Sequence, residues 1–179
     1  MDPSTVEHLD KSDSGLQSLP YTSYPKLQTL DVSGNNLRRL SFSAPLLESL
    51  DCSNNLVESL EFISEFPILR HSKLSGNLIK SASFEQENRA LESLLLDGNL
   101  IDCVGPLRFL RLASLDLSNN FLASVGGLRP LAGTLRSLNL ANNKLFSLHS
   151  VSLLGEFRAL VHLTLEGNEL EETLAARAL

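Results

Sequence analysis

Leucine and other aliphatic residues recur along the chain in a fixed order, with polar residues between them. Residues 30–37 read LDVSGNNL, and close variants return as LDCSNNLV, LLLDGNLI, LDLSNNFL and LNLANNKL. The full pattern is L-x-x-L-x-L-x-x-N-x-L, and it occurs seven times at intervals of 20 to 25 residues. The Asn residues that close the copies are Asn35, Asn55, Asn77, Asn99, Asn120, Asn143 and Asn168. An internal period of this length predicts a stack of structural repeats.

The L-x-L part of each copy alternates with period two, which predicts a short strand with one buried face. A single repeat is too small to bury its own leucines, so neighbouring repeats must cover them. We therefore predict an α/β fold: a right-handed solenoid with one parallel strand per repeat on the concave side. On the convex side the chain returns through segments such as 104–110, 125–135 and 150–157. Their leucine spacing, broken by Gly or Pro, predicts short 3₁₀ or helical turns.

The residue that precedes each closing Asn is always Gly or Asn. These two residue types tolerate a positive φ at low cost, so we predict a left-handed or similarly tight backbone at this position. The seven residues are Gly34, Asn54, Gly76, Gly98, Asn119, Asn142 and Gly167. We expect the closing Asn to point inward, where its amide can satisfy backbone groups of the turn. The two residues are thus predicted to stabilise the turn and to have no catalytic role.

The two ends of the chain depart from the pattern. Residues 1–26 hold a degenerate copy in which Lys11 replaces a core leucine and Asp13 occupies the turn position. A polar terminal repeat shields the first core layer of a solenoid, so we predict that residues 1–26 form an N-terminal cap. Residues 27–168 hold the seven repeats, and 169–179 are predicted to form a short C-terminal helix. This helix looks too short to cover the last repeat, which favours a chain that is the repeat portion of a longer protein.

The third repeat is irregular. Ser72 occupies a strand position where the other repeats have an apolar residue, and the return segment 81–90 is unusually polar. Two interpretations remain open: either the core is locally underpacked, or this loop has a function.

The seven copies resemble the leucine-rich repeat family, and the resemblance covers nearly the whole chain. The usual spacing is similar to the 22-residue intracellular subclass found in a nuclear regulator of type-1 phosphatase, an axonemal dynein light chain and the spliceosomal A-prime protein. The resemblance implies a protein–protein interaction module with the concave strands as its default binding surface.

Composition narrows the possible functions. The net charge is −6 and the chain has no run of Lys and Arg longer than Arg38–Arg39, which argues against nucleic-acid binding. Only ten aromatic residues are present, so we expect an aliphatic core. No window approaches the roughly 18 consecutive apolar residues of a membrane span. The N-terminus has no secretory signal pattern, and the two cysteines, Cys52 and Cys103, are too few for a disulfide framework. We expect an intracellular, cytoplasmic protein, with association to the cytoskeleton or cilium as an option, and a monomeric domain.

No catalytic motif is present. The chain has no phosphate-binding loop, no His-Glu-x-x-His and no Cys-x-x-Cys. His8, His71 and His162 fall in one outward column, but three repeats or more separate them, which is too far for a shared metal ion. We therefore expect neither enzyme activity nor a cofactor or metal.

The concave face is the remaining candidate for function. Repeat stacking brings residues about one period apart into columns, and most of the columns hold Asp or Ser. Repeats three and four depart from this rule, with a basic strip beside an exposed Leu and an acidic strip. The predicted protein-binding residues are Arg70, His71, Lys73, Glu92, Leu95, Asp97 and Asp116. An apolar residue ringed by charges is typical of a binding hot spot. The alternative is an internal Lys73–Asp97 or Arg70–Glu92 ion pair without a partner.

The sequence thus predicts a scaffold or adaptor that binds a protein through its concave face. Narrower alternatives are a regulatory or targeting subunit of an enzyme such as a phosphatase, or an assembly component of an RNA-protein particle. A cytoskeletal or ciliary scaffold with a coiled-coil tail outside this chain is a further option. The acidic stack Asp10, Asp31 and Asp51 is either a site for a basic peptide or a solvated face.

Overall fold

The computed structural model describes residues 2–147 and 151–170. Its strands are β1 (His8–Asp10), β2 (Thr29–Asp31), β3 (Ser49–Asp51), β4 (His71–Lys73), β5 (Ser81–Asn88), β6 (Ser93–Leu95), β7 (Cys103–Phe109), β8 (Ser114–Asp116), β9 (Ser137–Asn139) and β10 (His162–Thr164). Three short 3₁₀ helices are η1 (Glu61–Glu65), η2 (Gly126–Leu131) and η3 (Ser152–Glu156).

Eight of these strands form one parallel sheet in the order β1-β2-β3-β4-β6-β8-β9-β10. Each strand pairs with that of the next repeat in a constant register, so that Leu30 lies opposite Leu50 and Ser72 lies opposite Leu94. The chain is therefore a solenoid with one concave strand per repeat, and this prediction is confirmed. The middle residue of each three-residue strand of this sheet points inward and is almost fully buried from β1 to β9.

The turn after each concave strand has the predicted backbone. All seven residues that precede a closing Asn have φ between +52° and +69°, and Asp13 of the cap has φ +48°. At Gly34 a Cβ would overlap the carboxylate of Asp13, the residue one repeat earlier. Glycine or asparagine is thus required here by φ, and at Gly34 also by the close stacking of the turns.

The closing asparagines join neighbouring repeats. Asn77 Nδ2 donates to the carbonyl oxygens of Cys52 (2.9 Å) and Leu74 (3.0 Å), and its Oδ1 accepts from the Val57 amide (2.9 Å). The same three contacts recur at the other closing asparagines, Asn35, Asn55, Asn99, Asn120, Asn143 and Asn168. Each amide satisfies buried backbone groups of two successive repeats, which a β-ladder cannot reach at the turn.

The convex side differs from the prediction in two repeats. Helices η2 and η3 lie in the return segments 125–135 and 150–157, as expected. The segment 104–110 was predicted to be helical, and this is wrong: it belongs to β7, which pairs in parallel with β5 in a second, two-stranded sheet. Leu107 and Phe109 are buried while Arg108 between them is exposed, which is a strand alternation.

The convex layer of the core contains a cluster of aromatic residues beside aliphatic ones such as Ile63, Leu107 and Leu128. Phe42 packs edge-on against Tyr24 and tilted against Phe66, with ring centroids 5.9 and 5.1 Å apart. Phe84 of β5 stacks on Phe109 of β7 at 4.8 Å. All five rings are buried. The expectation of an aliphatic core therefore holds beneath the concave strands, while the convex layer combines aliphatic with aromatic side chains.

The two ends of the sheet are unequal. In the cap, β1 pairs with β2, and Val6 and Leu9 are buried. At the other end Leu163 of β10, which occupies the same strand position as Leu9, is 42% exposed. The predicted C-terminal helix over 169–179 lies outside the described residues beyond position 170.

Candidate functional site

The concave face is built from columns of outward side chains that follow the strand register. The column at the strand ends runs Asp10, Asp31, Asp51, Lys73, Leu95, Asp116, Asn139 and Thr164. The other strands thus carry Asp, Asn or, in β10, Thr, while repeats three and four carry Lys and Leu. The sequence alignment and the structure agree on this column residue by residue.

Most of the Asp residues in this column have a local structural role. Asp10 Oδ1 accepts from the amide of Ser12 (2.9 Å) and from its hydroxyl (2.8 Å). Asp31 binds Ser33 in the same way, Asp116 binds Ser118, and Asp51 accepts from the amide of Ser53. An Asp that binds the backbone two residues further on fixes the turn. This D-x-S pair is readable in the sequence, and its role was missed there.

Repeats three and four lack these Asp–Ser hydrogen bonds, which we call the Asp–Ser turn device. Lys73 and Leu95 replace the Asp, and in its place Ser75 Oγ donates to the carboxylate of Asp97 in the next repeat. Neither Lys73 nor Leu95 is therefore needed to fix its own turn. Leu95 was expected to be exposed, but it is only partly exposed.

The charged residues around Leu95 are paired within the chain. Arg70 Nη2 lies 2.8 Å from Glu92 Oε1, so this expected pair is present. The hydrogen bond from Arg70 holds the pKa of Glu92 below its usual value. The alternative of a Lys73–Asp97 pair is not the one that forms: Lys73 Nζ lies 3.1 Å from Asp51 Oδ2, one repeat earlier.

The hydrogen bonds and the ion pair of Asp51 lower its pKa. Burial raises the pKa of a carboxyl group, but the hydrogen bonds from Ser53 and the pairing with Lys73 outweigh this and leave the pKa of Asp51 below its usual value. Asp116, at the other side of Leu95, accepts from Asn139 Nδ2 at 3.0 Å. The centre of the concave face is therefore a preorganised set of charges around one aliphatic side chain.

His71 lies on the neighbouring column between Ser49 and Ser93 and is exposed. His8 and His162 share this column, and His8 Nδ1 lies 2.7 Å from Thr29 Oγ1. Within residues 2–147 and 151–170 no group of three His, Cys, Asp or Glu side chains is placed to hold one metal ion. His149 lies outside the described residues.

Both cysteines are free thiols. Cys103 is exposed on β7, whereas Cys52 is buried beneath the concave sheet. Burial raises the pKa of Cys52 to about 12, so its thiol is protonated at neutral pH and behaves as a core side chain. None of the helices in the described part of the chain has the length and apolarity needed to cross a membrane.

Comparisons with known proteins agree with this architecture. A profile of the family described as Leucine Rich Repeat matches residues 26–45 and 134–157. Toll-like receptor 2 of Cricetulus griseus is 37% identical over 67 residues, which are 37% of this chain and 8% of the receptor.

Solved structures give a longer match. The leucine-rich repeat domain of APL1B superposes with a TM-score of 0.67 at 27% identity, over 82% of this chain and 44% of that one. A chain of the LRIM1/APL1C complex gives 0.67 at 28% identity, over 82% and 27%. The present chain thus spans less than half the length of each of these relatives. The repeated motif, the stacked parallel strands and these matches together show that the chain has the fold of a leucine-rich repeat solenoid.

Proposed function

We propose that this chain is a scaffold or adaptor module that binds a protein partner at the centre of its concave face. The observation that carries the proposal is the loss of the Asp–Ser turn device at Lys73 and Leu95. Repeats on both sides keep that device, so the two exchanged side chains do not serve their own turns. A residue that is freed from the local structure and lies on the concave face is available for contact with a partner.

The surroundings indicate the chemistry of the partner. Leu95 offers an apolar contact next to Lys73, which pairs with Asp51, and the Arg70–Glu92 pair lies just before the same two strands. Towards the N-terminus, Asp10, Asp31 and Asp51 border a shallow depression of about 360 Å³, together with His8 and with Lys73, which pairs with Asp51. A partner segment with an apolar side chain for Leu95 and a basic side chain for this acidic depression fits the surface. His71, Asp97 and Asp116 complete the rim of the proposed site.

A protein ligand is supported by one relative. The LRIM1/APL1C complex is an assembly of two named proteins, and this chain is 28% identical to one of its chains. The net charge of −6 disfavours a nucleic acid as ligand. The columns hold mainly small polar side chains, so nothing on the concave face favours the narrower roles as phosphatase regulator or RNA-protein particle component.

The cellular setting is also part of the proposal. Two free cysteines, one of them buried, fit a reducing compartment, so we place the protein in the cytoplasm, with cytoskeletal or ciliary association open to test. The spacing is compatible with the intracellular 22-residue subclass. The proposed role includes no catalytic step, because the concave centre holds paired charges without an activated nucleophile or base.

Affinity capture with point variants tests the binding site. Leu95→Asp and Lys73→Glu should each reduce recovery of partner proteins from cell extract by at least tenfold, measured by quantitative mass spectrometry against wild type. Leu100→Asp and Lys80→Glu are matched controls, because they make the same changes at exposed positions off the concave sheet. Circular dichroism first verifies that all four variants fold.

The outcome separates this surface from others on the molecule. Unchanged recovery with both concave variants would contradict the proposed site. Equal loss with the concave variants and their controls would show that general charge, and not this surface, governs capture.

A further inference from the structure

The convex side carries a strand with one open edge. Strand β5 pairs with β7 along one edge only. On the far side of β7, helix η2 packs so closely that a Cβ on Gly127 would overlap the Val104 carbonyl oxygen. Helix η1, on the far side of β5, approaches that strand at few points. The two outer edges of this small sheet are therefore unequal: one is covered and the other is open.

The open edge has unused backbone groups. Alternate residues of a regular strand direct their N–H and C=O groups to opposite edges. The pairing of β5 with β7 shifts register between Ala82 and Phe84 and between Phe84 and Asn88, and some of the backbone groups of β5 are directed away from β7, towards η1. In the described chain no backbone hydrogen bond joins β5 to η1 or to residues 39–43. Such an edge is a template for a further strand.

A groove lies along this edge, and we call it the convex groove. It encloses about 930 Å³ between residues 39–43, helix η1 and residues 83–86 of β5. Beyond it, residues 22–24 and 41–43 are again extended and pair through Ser23 and Ser43. Helix η1 thus lies between residues 41–43 on one side and β5 on the other, and the groove runs over η1 from one to the other.

The lining of the groove is predominantly acidic. Glu61 and Glu65 of η1 and Glu85 of β5 line it, against a single basic residue, Arg39. None of these three carboxylates forms an ion pair among residues 2–147 and 151–170. Glu87, two residues after Glu85 and outside the groove, is paired with Arg89. The groove therefore attracts a basic ligand and disfavours a second copy of this chain, which would bring its own Glu85 to the same edge.

We infer that the convex groove binds an extended, basic segment of a partner protein, which adds to β5 as a third strand. Backbone hydrogen bonds to the open edge supply the affinity, and Lys or Arg side chains on one face of the segment meet Glu61, Glu65 and Glu85. This surface is on the opposite side of the solenoid from the concave centre and is independent of it.

A generic strand peptide is a suitable probe, because pairing through the backbone tolerates many side chains. The probe is a fluorescein-labelled, acetylated peptide of alternating Lys and Val with eight residues, the length of β5. Fluorescence anisotropy should show saturable binding to the full chain. Two further peptides carry N-methyl groups at alternate residues, one along each edge of the strand, and at least one of them should bind at least tenfold more weakly. A Glu–Val counterpart should also bind at least tenfold more weakly.

Paired variants locate the site. Glu85→Lys should weaken binding of the Lys–Val peptide at least tenfold, while Glu87→Lys on the same strand should change it less than threefold. Leu95→Asp on the concave face should leave peptide binding unchanged. Amide hydrogen exchange in β5 should slow when the peptide is bound.

Several results would overturn this inference. They are an absence of saturable binding, full affinity of both N-methylated peptides, or equal effects of Glu85→Lys and Glu87→Lys. Loss of peptide binding in Leu95→Asp would instead assign the peptide to the concave face.

Discussion

At the residue scale, small polar side chains hold the turns together and connect the repeats. The closing asparagines form side-chain bridges from one repeat to the next, and the Gly and Asn residues before them supply the positive φ. Both roles follow from spacing and residue type, so the sequence predicts them. Ion-pair partners depend on side-chain rotamers and on the offset between repeats, which spacing does not determine. This is why the sequence offered Asp97 as an alternative partner of Lys73, which pairs with Asp51.

Two adjacent asparagines test the bridging role. Asn35 is buried and accepts hydrogen bonds from the amides of Ser14 and Leu16, while Asn36 beside it is exposed. Asn35→Ala leaves one buried and several partly buried backbone groups without their partner. A buried group costs about 1–3 kcal/mol, so we expect a loss of about 2 kcal/mol or more in unfolding free energy. Asn36→Ala should change it by less than about 0.5 kcal/mol. Urea denaturation measures both, and similar values for the two variants would contradict the role.

Ser72 marks a weak point in the core. It lies between Leu50 and Leu94 in the strand register, is 1% exposed, and its hydroxyl has no hydrogen-bond partner. We expect Ser72→Leu to raise the melting temperature, since a gain of about 1 kcal/mol corresponds to roughly 2–4 °C at this chain length. Ser72→Ala should also raise it, because it removes the unsatisfied hydroxyl. A fall of more than about 2 °C in Ser72→Leu would show that the site has no room for the larger side chain.

At the element scale, the concave strands were predictable and the convex segments were only partly so. The concave strands repeat one pattern seven times, whereas each convex segment is different in sequence. Residues 104–110 contain leucines at a spacing that fits a helical turn, yet Gly105 and Pro106 disfavour a helix. Pairing with β5, where Gly105 faces Ser83, stabilises a strand at these residues instead. The period-two alternation of Leu107 and Phe109 was the local signal for it.

Neighbouring glycines test the packing of η2 on β7. A Cβ on Gly127 would overlap the backbone of Val104, while a Cβ on Gly126 would meet only Ser124 Oγ at 3.7 Å. Gly127→Ala should therefore separate η2 from β7 and lower the unfolding free energy by at least about 2 kcal/mol. Gly126→Ala should have little effect. Thermal denaturation of the pair provides the comparison, and equal melting temperatures would contradict the close contact.

At the scale of the whole molecule, the repeats depend on one another for their core. The central strands have repeats on both sides and bury their inward leucines completely, as at Leu94, whereas Leu163 of β10 is 42% exposed. The hydrophobic stabilisation of each repeat thus comes largely from its neighbours. The same stacking produces the concave columns and leaves the open edge of β5. Both proposed binding surfaces are consequences of the register between repeats.

Solution NMR tests this register most directly, through nuclear Overhauser contacts between backbone protons of successive concave strands. The account predicts parallel contacts between Leu30 and Leu50, between Leu50 and Ser72, and between Ser72 and Leu94. Residues of non-neighbouring strands should show none. Helical contact patterns within β2, β3 or β4, or cross-strand contacts that skip a repeat, would contradict it.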